Sequence, residues 1–306
     1  MFYQLLCLLL FCLNFQVTLS SSLLSPSDAP LCSYHEASAL IQFKRSFFIN
    51  KIASEGCKDT ITQSYPKTDS WREGTDCCSW DGVTCNNITG QVIGLDLSCS
   101  CLYGAIPSNS SLFHLPHLQE LNLAHNDFKN SKMPSEFARF TSLVLLNLTD
   151  SLLSGQIPPQ ISHLSKLVSL DLSRNDYEAL DENTLEGLVR NLTEVRQLFL
   201  HGIDLSFINP KVLMNLSSSF SSLSLIGCNL QGKFPENIFH LPNLKSLNLA
   251  ANSELNLYLP KFNRSNHIEL LDLRGTSLSG SLPGSIGNLR SLKYLYLSGT
   301  DRKSVV

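Results

Sequence analysis

Leucines recur along most of the chain in the pattern L-x-x-L-x-L-x-x-N, beginning at Val92. The intervals between successive second leucines run from 24 to 28 residues. These second leucines are Leu95, Leu121, Leu146, Leu170, Leu198, Leu223, Leu247, Leu271 and Leu295. A period of this length is typical of leucine-rich repeats, which bury their apolar side only against their neighbours. The pattern predicts one α/β solenoid instead of two ordinary domains.

The L-x-L pair in each repeat predicts a short β-strand, because alternate side chains of a strand point to opposite faces. The leucines are then buried, whereas intervening residues such as Asp96, Asn122 and Tyr296 face outward. Parallel sheets that are covered on both faces read as continuous apolar runs, and this one does not. We therefore expect one face of the sheet to be open to a partner.

A short polar residue follows five positions after most of the second leucines, which predicts a hydrogen-bonded ladder at one corner of the solenoid. Each unpaired backbone group that such a ladder satisfies would otherwise cost about 1 to 3 kcal/mol. Cys228 fits this ladder as an unpaired thiol, whereas Ile203 cannot hydrogen-bond and marks repeat five as irregular. The residues at this position are Ser100, Asn126, Ser151, Asn175, Ile203, Cys228, Asn252, Thr276 and Thr300.

Four repeats continue after the ladder residue with L-x-G-x-I-P or a close variant. The segments are LYGAIP (102–107), LSGQIP (153–158), LQGKFP (230–235) and LSGSLP (278–283). Glycine permits unusual backbone angles and proline lacks a backbone donor, so each segment predicts a second short strand that ends sharply.

The first twenty residues predict a secretory signal peptide. Their apolar core, Leu5 to Leu13, is too short to cross a bilayer of about 30 Å, and small residues precede position 21. Once this segment is removed, eight cysteines remain in an oxidising compartment, which favours disulfides over metal ligands. The net charge of -3 argues against nucleic acid as a partner.

Residues 21–91 are expected to form a cap that seals the first repeat, followed by repeats over residues 92–306, eight of them complete and the ninth truncated. Ser33 and Glu36 have the spacing of a helix capping box, and an apolar stripe ends at Phe47. The pattern predicts a helix of about four turns in the cap.

The chain resembles plant extracellular leucine-rich-repeat proteins through the cap motif CCSWDGVTC and the L-x-G-x-I-P repeats. The segments LDLSCSCLYGAIP and LEGLVRNLTEVRQLFL narrow the resemblance to plant receptor-like proteins of the disease-resistance type. The resemblance implies a horseshoe with its parallel sheet on the concave face and a disulfide-stapled cap. It also implies that Cys32 bonds Cys77 and that Cys78 bonds Cys85. We expect Cys57 to bond either Cys99 or Cys101.

The resemblance further implies an extracellular recognition domain with a role in defence, which binds a protein, peptide or carbohydrate ligand and signals through a partner receptor kinase. Members of the family carry a membrane span and a short cytoplasmic tail after their repeats. This sequence stops inside the ninth repeat, so we expect an amino-terminal part of a receptor or a truncated gene model. The protein is then at the plasma membrane as part of a receptor, or secreted if it ends at Val306.

No catalytic or cofactor motif occurs in the sequence. His35 and Glu36 begin a zinc-protease motif, but Ala39 stands where the second histidine is required. We expect no enzyme activity, no metal and no cofactor. A secreted inhibitor of cell-wall-degrading enzymes, similar to polygalacturonase inhibitors, is the alternative function.

Two sets of candidate sites follow from the sequence. Six N-x-[ST] sequons predict glycans on an extracellular protein, at Asn87, Asn109, Asn147, Asn191, Asn215 and Asn263. Candidate ligand contacts are arginines, aromatic residues and their neighbours on the open face, which are favoured anchors in interfaces. These candidates are Arg174, Arg196, Phe199, His201, Asp272, Arg274, Tyr294 and Tyr296.

Overall fold

The computed structural model describes residues 31–57 and 63–299. The predicted signal peptide, the Thr300 ladder position and the remaining carboxy-terminal residues lie outside the described residues. The nine strands that carry the second leucines, together with the cap strand β2, form a ten-stranded sheet in the order β18-β16-β14-β12-β11-β9-β7-β5-β3-β2. Its strands are β2 Val83–Cys85, β3 Val92–Asp96, β5 Glu120–Asn122, β7 Leu145–Asn147, β9 Ser169–Asp171, β11 Gln197–Phe199, β12 Ser222–Ser224, β14 Ser246–Asn248, β16 Leu270–Asp272 and β18 Tyr294–Tyr296.

The register of this sheet aligns the second leucines of all nine repeats. Leu95 pairs with Leu121, Leu198 with Leu223, and each remaining second leucine with its counterpart in the next repeat. The first eight are at most 2% exposed, as expected for side chains that pack between repeats. The structure confirms the predicted plant-type leucine-rich-repeat solenoid with a parallel sheet on its concave face.

A second row of short strands lies beside the first, on the lateral side of the solenoid. It comprises an antiparallel pair, β1 with β4, and two parallel three-stranded sheets, β6-β8-β10 and β13-β15-β17. The four L-x-G-x-I-P segments contribute β4, β8, β13 and β17, as the sequence predicts. The bounds are β1 Phe48–Ile49, β4 Leu102–Tyr103, β6 Ser131–Lys132, β8 Leu153–Gly155, β10 Asp176–Tyr177, β13 Gly232–Lys233, β15 Asn252–Tyr258 and β17 Thr276–Ser279.

Helical segments return the chain between the strands. Two are α-helices among the described residues, Tyr34–Lys44 in the cap and Glu182–Asn191 in repeat four, and the others are short 3₁₀ segments. The cap helix has three turns instead of the predicted four, because it ends at Lys44 and does not continue to Phe47. The 3₁₀ segments are Lys51–Cys57, Lys67–Ser70, Cys77–Ser79, Ser111–His114, Ser135–Arg139, Pro159–His163, Pro210–Asn215, Glu236–His240 and Gly284–Asn288.

The capping box is only half formed, and its acidic residue has a second function. The Ser33 hydroxyl accepts the backbone N–H of Glu36, as predicted. The buried Glu36 carboxylate accepts the Ser33 hydroxyl and the backbone N–H of Val92, at 2.9 and 3.1 Å. The carboxylate therefore joins the cap helix to the first strand of the repeats.

The cap adds an antiparallel strand at the first edge of each of the two rows of strands. β2 pairs with β3 on the concave sheet, and β1 pairs with β4 on the lateral row. Disulfides join Cys32 to Cys77 and Cys78 to Cys85, the two pairs that the resemblance implied. A third disulfide joins Cys57 to Cys99, so the segment that carries β1 is bonded directly to repeat one.

The corner ladder is present, and it accounts for the lone thiol in repeat six. The Asn175 amide donates to the carbonyls of Leu148 and Leu172 while its oxygen accepts the N–H groups of Ser151 and Leu153. The Sγ of Cys228 lies 3.0 Å from the Leu200 carbonyl oxygen. Cys228 is buried and unpaired, as predicted, and burial raises the pKa of its thiol to about 12.

Candidate functional site

Most polar residues that point outward from the concave sheet are used by the fold itself. In six repeats the outward strand residue accepts the backbone N–H two positions later, at 2.9 to 3.2 Å. This bond stabilises the turn that leaves each strand. The six residues are Asp96, Asn122, Asn147, Asp171, Asn248 and Asp272. Phe199 and Tyr296 replace them in repeats five and nine, and these rings are therefore free of that structural role.

Repeats four and five bring together three of the predicted contacts. The rings of Phe199 and His201 meet edge to face, with centroids 6.2 Å apart. Burial lowers the pKa of His201, the charge of Asp171 opposes this shift, and the charge of Arg174 adds to it. The Nε2 atom of His201 is buried and has no hydrogen-bond partner among the described residues. This first cluster, Arg174, Phe199 and His201, combines an aromatic ring, an imidazole whose pKa is lowered and a nearby positive charge.

Arg196 is not part of the first cluster. It is exposed just before β11, and its backbone N–H donates to the Val168 carbonyl. Its side chain makes no hydrogen bond or ion pair with any residue that the structure describes. Arg196 therefore contributes a separate positive charge at the edge of the concave face.

Repeats eight and nine form a second cluster, Asp272, Arg274, Tyr294 and Tyr296. The guanidinium of Arg274 makes two hydrogen bonds with the Asp272 carboxylate, at 2.9 and 2.6 Å, and lies 4.7 Å from the centroid of the Tyr296 ring. The bond to Asp272 raises the pKa of Arg274. Tyr294 and Tyr296 are nearly parallel, with centroids 6.4 Å apart.

The four predicted residues of the second cluster do not have equal access to a ligand. Asp272 is only 2% exposed, so it positions Arg274 and is not available for direct contact. Tyr294 and Tyr296 are 54% and 39% exposed. The tyrosines and the guanidinium therefore form the accessible surface, a combination that is frequent in protein interfaces.

Small residues separate the two clusters on the concave face. They are Ser222, Ser224, Ser246, Asn248 and Ala250, on β12, β14 and the turn that follows. Four strand spacings lie between β11 and β18, which is roughly 19 Å at about 4.8 Å per spacing. The face thus has two aromatic and cationic clusters at the ends of a low, polar floor.

The sequons occupy two kinds of position. Asn87, Asn109, Asn191, Asn215 and Asn263 are exposed and lie off the strands of the concave sheet. Asn147 is half-buried on β7, where its Oδ1 accepts the Thr149 N–H at 3.0 Å. A glycan on the Asn147 nitrogen would leave that oxygen bond in place and project from the concave face.

Residues 31–57 and 63–299 contain no group of three or more histidine, cysteine or acidic side chains arranged to hold a metal ion. Over the same residues, no helix combines the length and apolar character that crossing a bilayer requires.

Two family models match the chain. The model described as leucine rich repeat N-terminal domain matches residues 33–54 and 56–86, and the leucine rich repeat model matches residues 117–140 and 267–289. The first match covers the cap helix and the cysteine cluster, and the second covers parts of the repeats.

Curated relatives include several plant receptor-like proteins. The chain is 42% identical over 247 residues to Receptor-like protein 6 of Arabidopsis thaliana, which is 78% of this chain and 25% of the relative. It is 41% identical over 268 residues to Receptor-like protein Cf-9 of Solanum pimpinellifolium, which is 86% of this chain and 30% of the relative. These similarities confirm the predicted resemblance, and the chain spans less than a third of the length of either relative.

Two solved structures share this fold with the chain. A plant ice-binding protein matches with a TM-score of 0.64 and 24% identity, over 87% of this chain and 86% of that one. A TDR receptor matches with a TM-score of 0.54 and 29% identity, over 63% of this chain and 32% of that one. These matches support the solenoid fold.

Proposed function

The chain is a leucine-rich-repeat protein related to the plant receptor-like proteins, and from this premise we propose that it is an extracellular recognition domain for an extended peptide or protein segment. The binding surface in this proposal is the concave face between the first and second clusters. A role in defence signalling through a partner receptor kinase is the finer part of the proposal and rests on the family resemblance.

The observation that carries the proposal is that aromatic residues, Phe199 and Tyr296, stand on the open face where six other repeats have turn-forming Asp or Asn. Phe199 and Tyr296 do not make the turn-forming bond. The Phe199 ring contacts the His201 ring, and the Tyr296 ring contacts the guanidinium of Arg274. An extended segment of about six residues spans the roughly 19 Å between β11 and β18. Binding of such a segment buries the accessible surfaces of the Phe199 and Tyr296 rings.

The names of the curated relatives favour a receptor over the alternative of a secreted enzyme inhibitor. The predicted glycan positions are compatible with a ligand on the concave face. Sugars at the five exposed sequons leave the concave strands uncovered, and a sugar on Asn147 shields repeat three but not repeats five to nine.

A phage-displayed library of random dodecapeptides, selected on the immobilised secreted chain, tests the proposal. We expect selected peptides to lose at least tenfold in affinity with Phe199→Asp and with Arg274→Glu, because each change removes an anchor. Arg264→Glu, at an exposed position off the concave strands, is the matched control and should have no effect. Peptides that bind equally well to all three variants would show that the concave clusters are not the recognition surface.

A further inference from the structure

The lateral row of strands is interrupted at repeat five. Repeats two to four contribute β6, β8 and β10, and repeats six to eight contribute β13, β15 and β17. Residues 200–221 are all described, and they contain a 3₁₀ segment at Pro210–Asn215 but no strand. Of repeats one to eight, all within the described residues, repeat five is therefore the one without a lateral strand.

Phe207 lies in this repeat, at the position that glycine occupies in the L-x-G-x-I-P repeats. The corresponding glycines, among them Gly155 and Gly232, have φ of +72° and +84°, whereas Phe207 is absent from the residues with positive φ. Its side chain is 80% exposed, although its neighbours Leu205 and Ile208 are buried. The regular repeats show that the fold does not need a phenylalanine here.

A depression of about 440 Å³ lies beside Phe207. Two lysines, Lys211 and Lys233, contribute to its lining, and none of its lining residues is acidic. The ammonium group of Lys233 also lies 5.8 Å from the centroid of the exposed Tyr258 ring, which extends the aromatic surface. Outside the lining, Glu236 approaches Lys233 at 3.6 Å, with both side chains largely in solvent.

The walls of the depression are held by bonds within the chain. The Asn209 side chain accepts the Lys211 N–H at 3.1 Å, and the Gln231 amide donates to the Ser206 carbonyl. Proline at position 210 restricts the backbone between them. The depression is therefore formed before any partner arrives, which reduces the entropic cost of binding.

From these contacts we propose that repeat five carries a second docking surface, formed by Phe207, Lys211, Lys233 and Tyr258, for a partner-protein segment with an acidic side chain beside an apolar one. The acidic group enters the lysine-lined depression, and the apolar group packs on the exposed ring of Phe207. This surface lies on the lateral row of strands, separate from the concave face, so it accepts a protein partner independently of the concave ligand.

The same random dodecapeptide library tests this surface when selection on the wild-type secreted chain is followed by depletion on the Phe207→Ser chain. We expect the surviving peptides to contain Asp or Glu next to an apolar residue. Their affinity should fall at least tenfold with Lys211→Glu combined with Lys233→Glu, and should be unchanged with Phe199→Asp on the concave face. Phe207→Ser changes an exposed side chain, so its thermal unfolding should match that of the wild type.

Three outcomes would overturn the proposal. The first is that no peptide survives depletion on the Phe207→Ser chain. The second is that surviving peptides lack acidic residues or are insensitive to the lysine substitutions. The third is retention of the chain by carboxymethyl-dextran, lost in the Phe207→Ser variant, without any selected peptide, which would assign the surface to a polysaccharide. If the selection yields Phe207-dependent peptides but none that depend on Phe199, only the concave-face proposal is contradicted.

Discussion

Asn175 illustrates how single polar side chains hold neighbouring repeats together. Its amide reaches carbonyls of two successive repeats, and its oxygen accepts two N–H groups of repeat three. Asp171, four residues earlier, is used differently, because its carboxylate caps the Ser173 N–H within its own repeat. Side chains free of both roles, such as Phe199 and His201, are the ones with capacity for a ligand.

The titration of His201 should be visible in the pH dependence of stability. Burial lowers its pKa from the ordinary value of 6.5, so between the folded pKa and about pH 6.5 the unfolded chain binds more protons than the folded one. The contribution of His201 to stability is therefore fully present above pH 6.5 and is lost as the pH drops through that window. His201→Gln should reduce the loss of thermal midpoint between pH 7.5 and pH 5.

The exposed His240 provides the matched control for this experiment. His240→Gln should leave the pH dependence of the thermal midpoint as it is in the wild type. If the pH dependence of the thermal midpoint is unchanged in His201→Gln, the lowered pKa of His201 does not contribute to it.

Each strand of the concave sheet presents one set of side chains to the core and another to solvent. On β11, Leu198 is 2% exposed and pairs with Leu170 and Leu223 of the adjacent repeats, whereas Phe199 is half-buried on the open face. A shift of one residue would exchange these two sets, so the register decides which residues a ligand can contact.

Substitution of these two neighbours with the same acidic residue tests the register. Leu198→Asp places an unpaired charge in the core and should lower the free energy of unfolding by more than about 4 kcal/mol, enough to abolish secretion. Phe199→Asp places the charge on the open face and should leave secretion near the wild-type level. Immunoblots of culture medium measure both, and equal secretion of the two variants would contradict the strand register.

The solenoid as a whole depends on closing its first edge, because its stability is close to a sum of repeat and neighbour terms. The cap closes both rows of strands, with β2 on the concave sheet and β1 on the lateral row. The Cys57–Cys99 disulfide attaches the β1 segment to repeat one and closes a loop with a sequence separation of 42. This disulfide on the lateral row is separate from the Cys78–Cys85 disulfide, which holds the cap strand β2 of the concave sheet.

Removal of the lateral link should destabilise the chain without abolishing the fold. Cys57→Ser combined with Cys99→Ser should lower the free energy of unfolding by up to about 4 kcal/mol on the chain-entropy model. Cys228→Ser is the control and should change it by less than about 1 kcal/mol, because Ser151 already fills the same ladder role in repeat three. Thermal unfolding under non-reducing conditions compares the variants. Equal midpoints for the double variant and the wild type would contradict a stabilising role of the Cys57–Cys99 disulfide.

The repeat pattern by itself determined the solenoid, the buried leucine register, the corner ladder and the unpaired Cys228. The first three features depend on residues at fixed offsets within one repeat, so a periodic sequence specifies each of them many times over. Cys228 follows from them, because it occupies one of the ladder offsets. Tertiary structure decided that Cys57 pairs with Cys99 and not Cys101, and that Asp272 holds Arg274. The disulfide depends on the relative positions of two segments that are 42 residues apart in sequence, which no local period encodes. The Asp272–Arg274 contact is local in sequence, but the repeat pattern does not specify the side-chain conformations that form it. Phe207 combines both, because the sequence shows a departure from the motif glycine, but only the folded chain places it beside the lysine-lined depression.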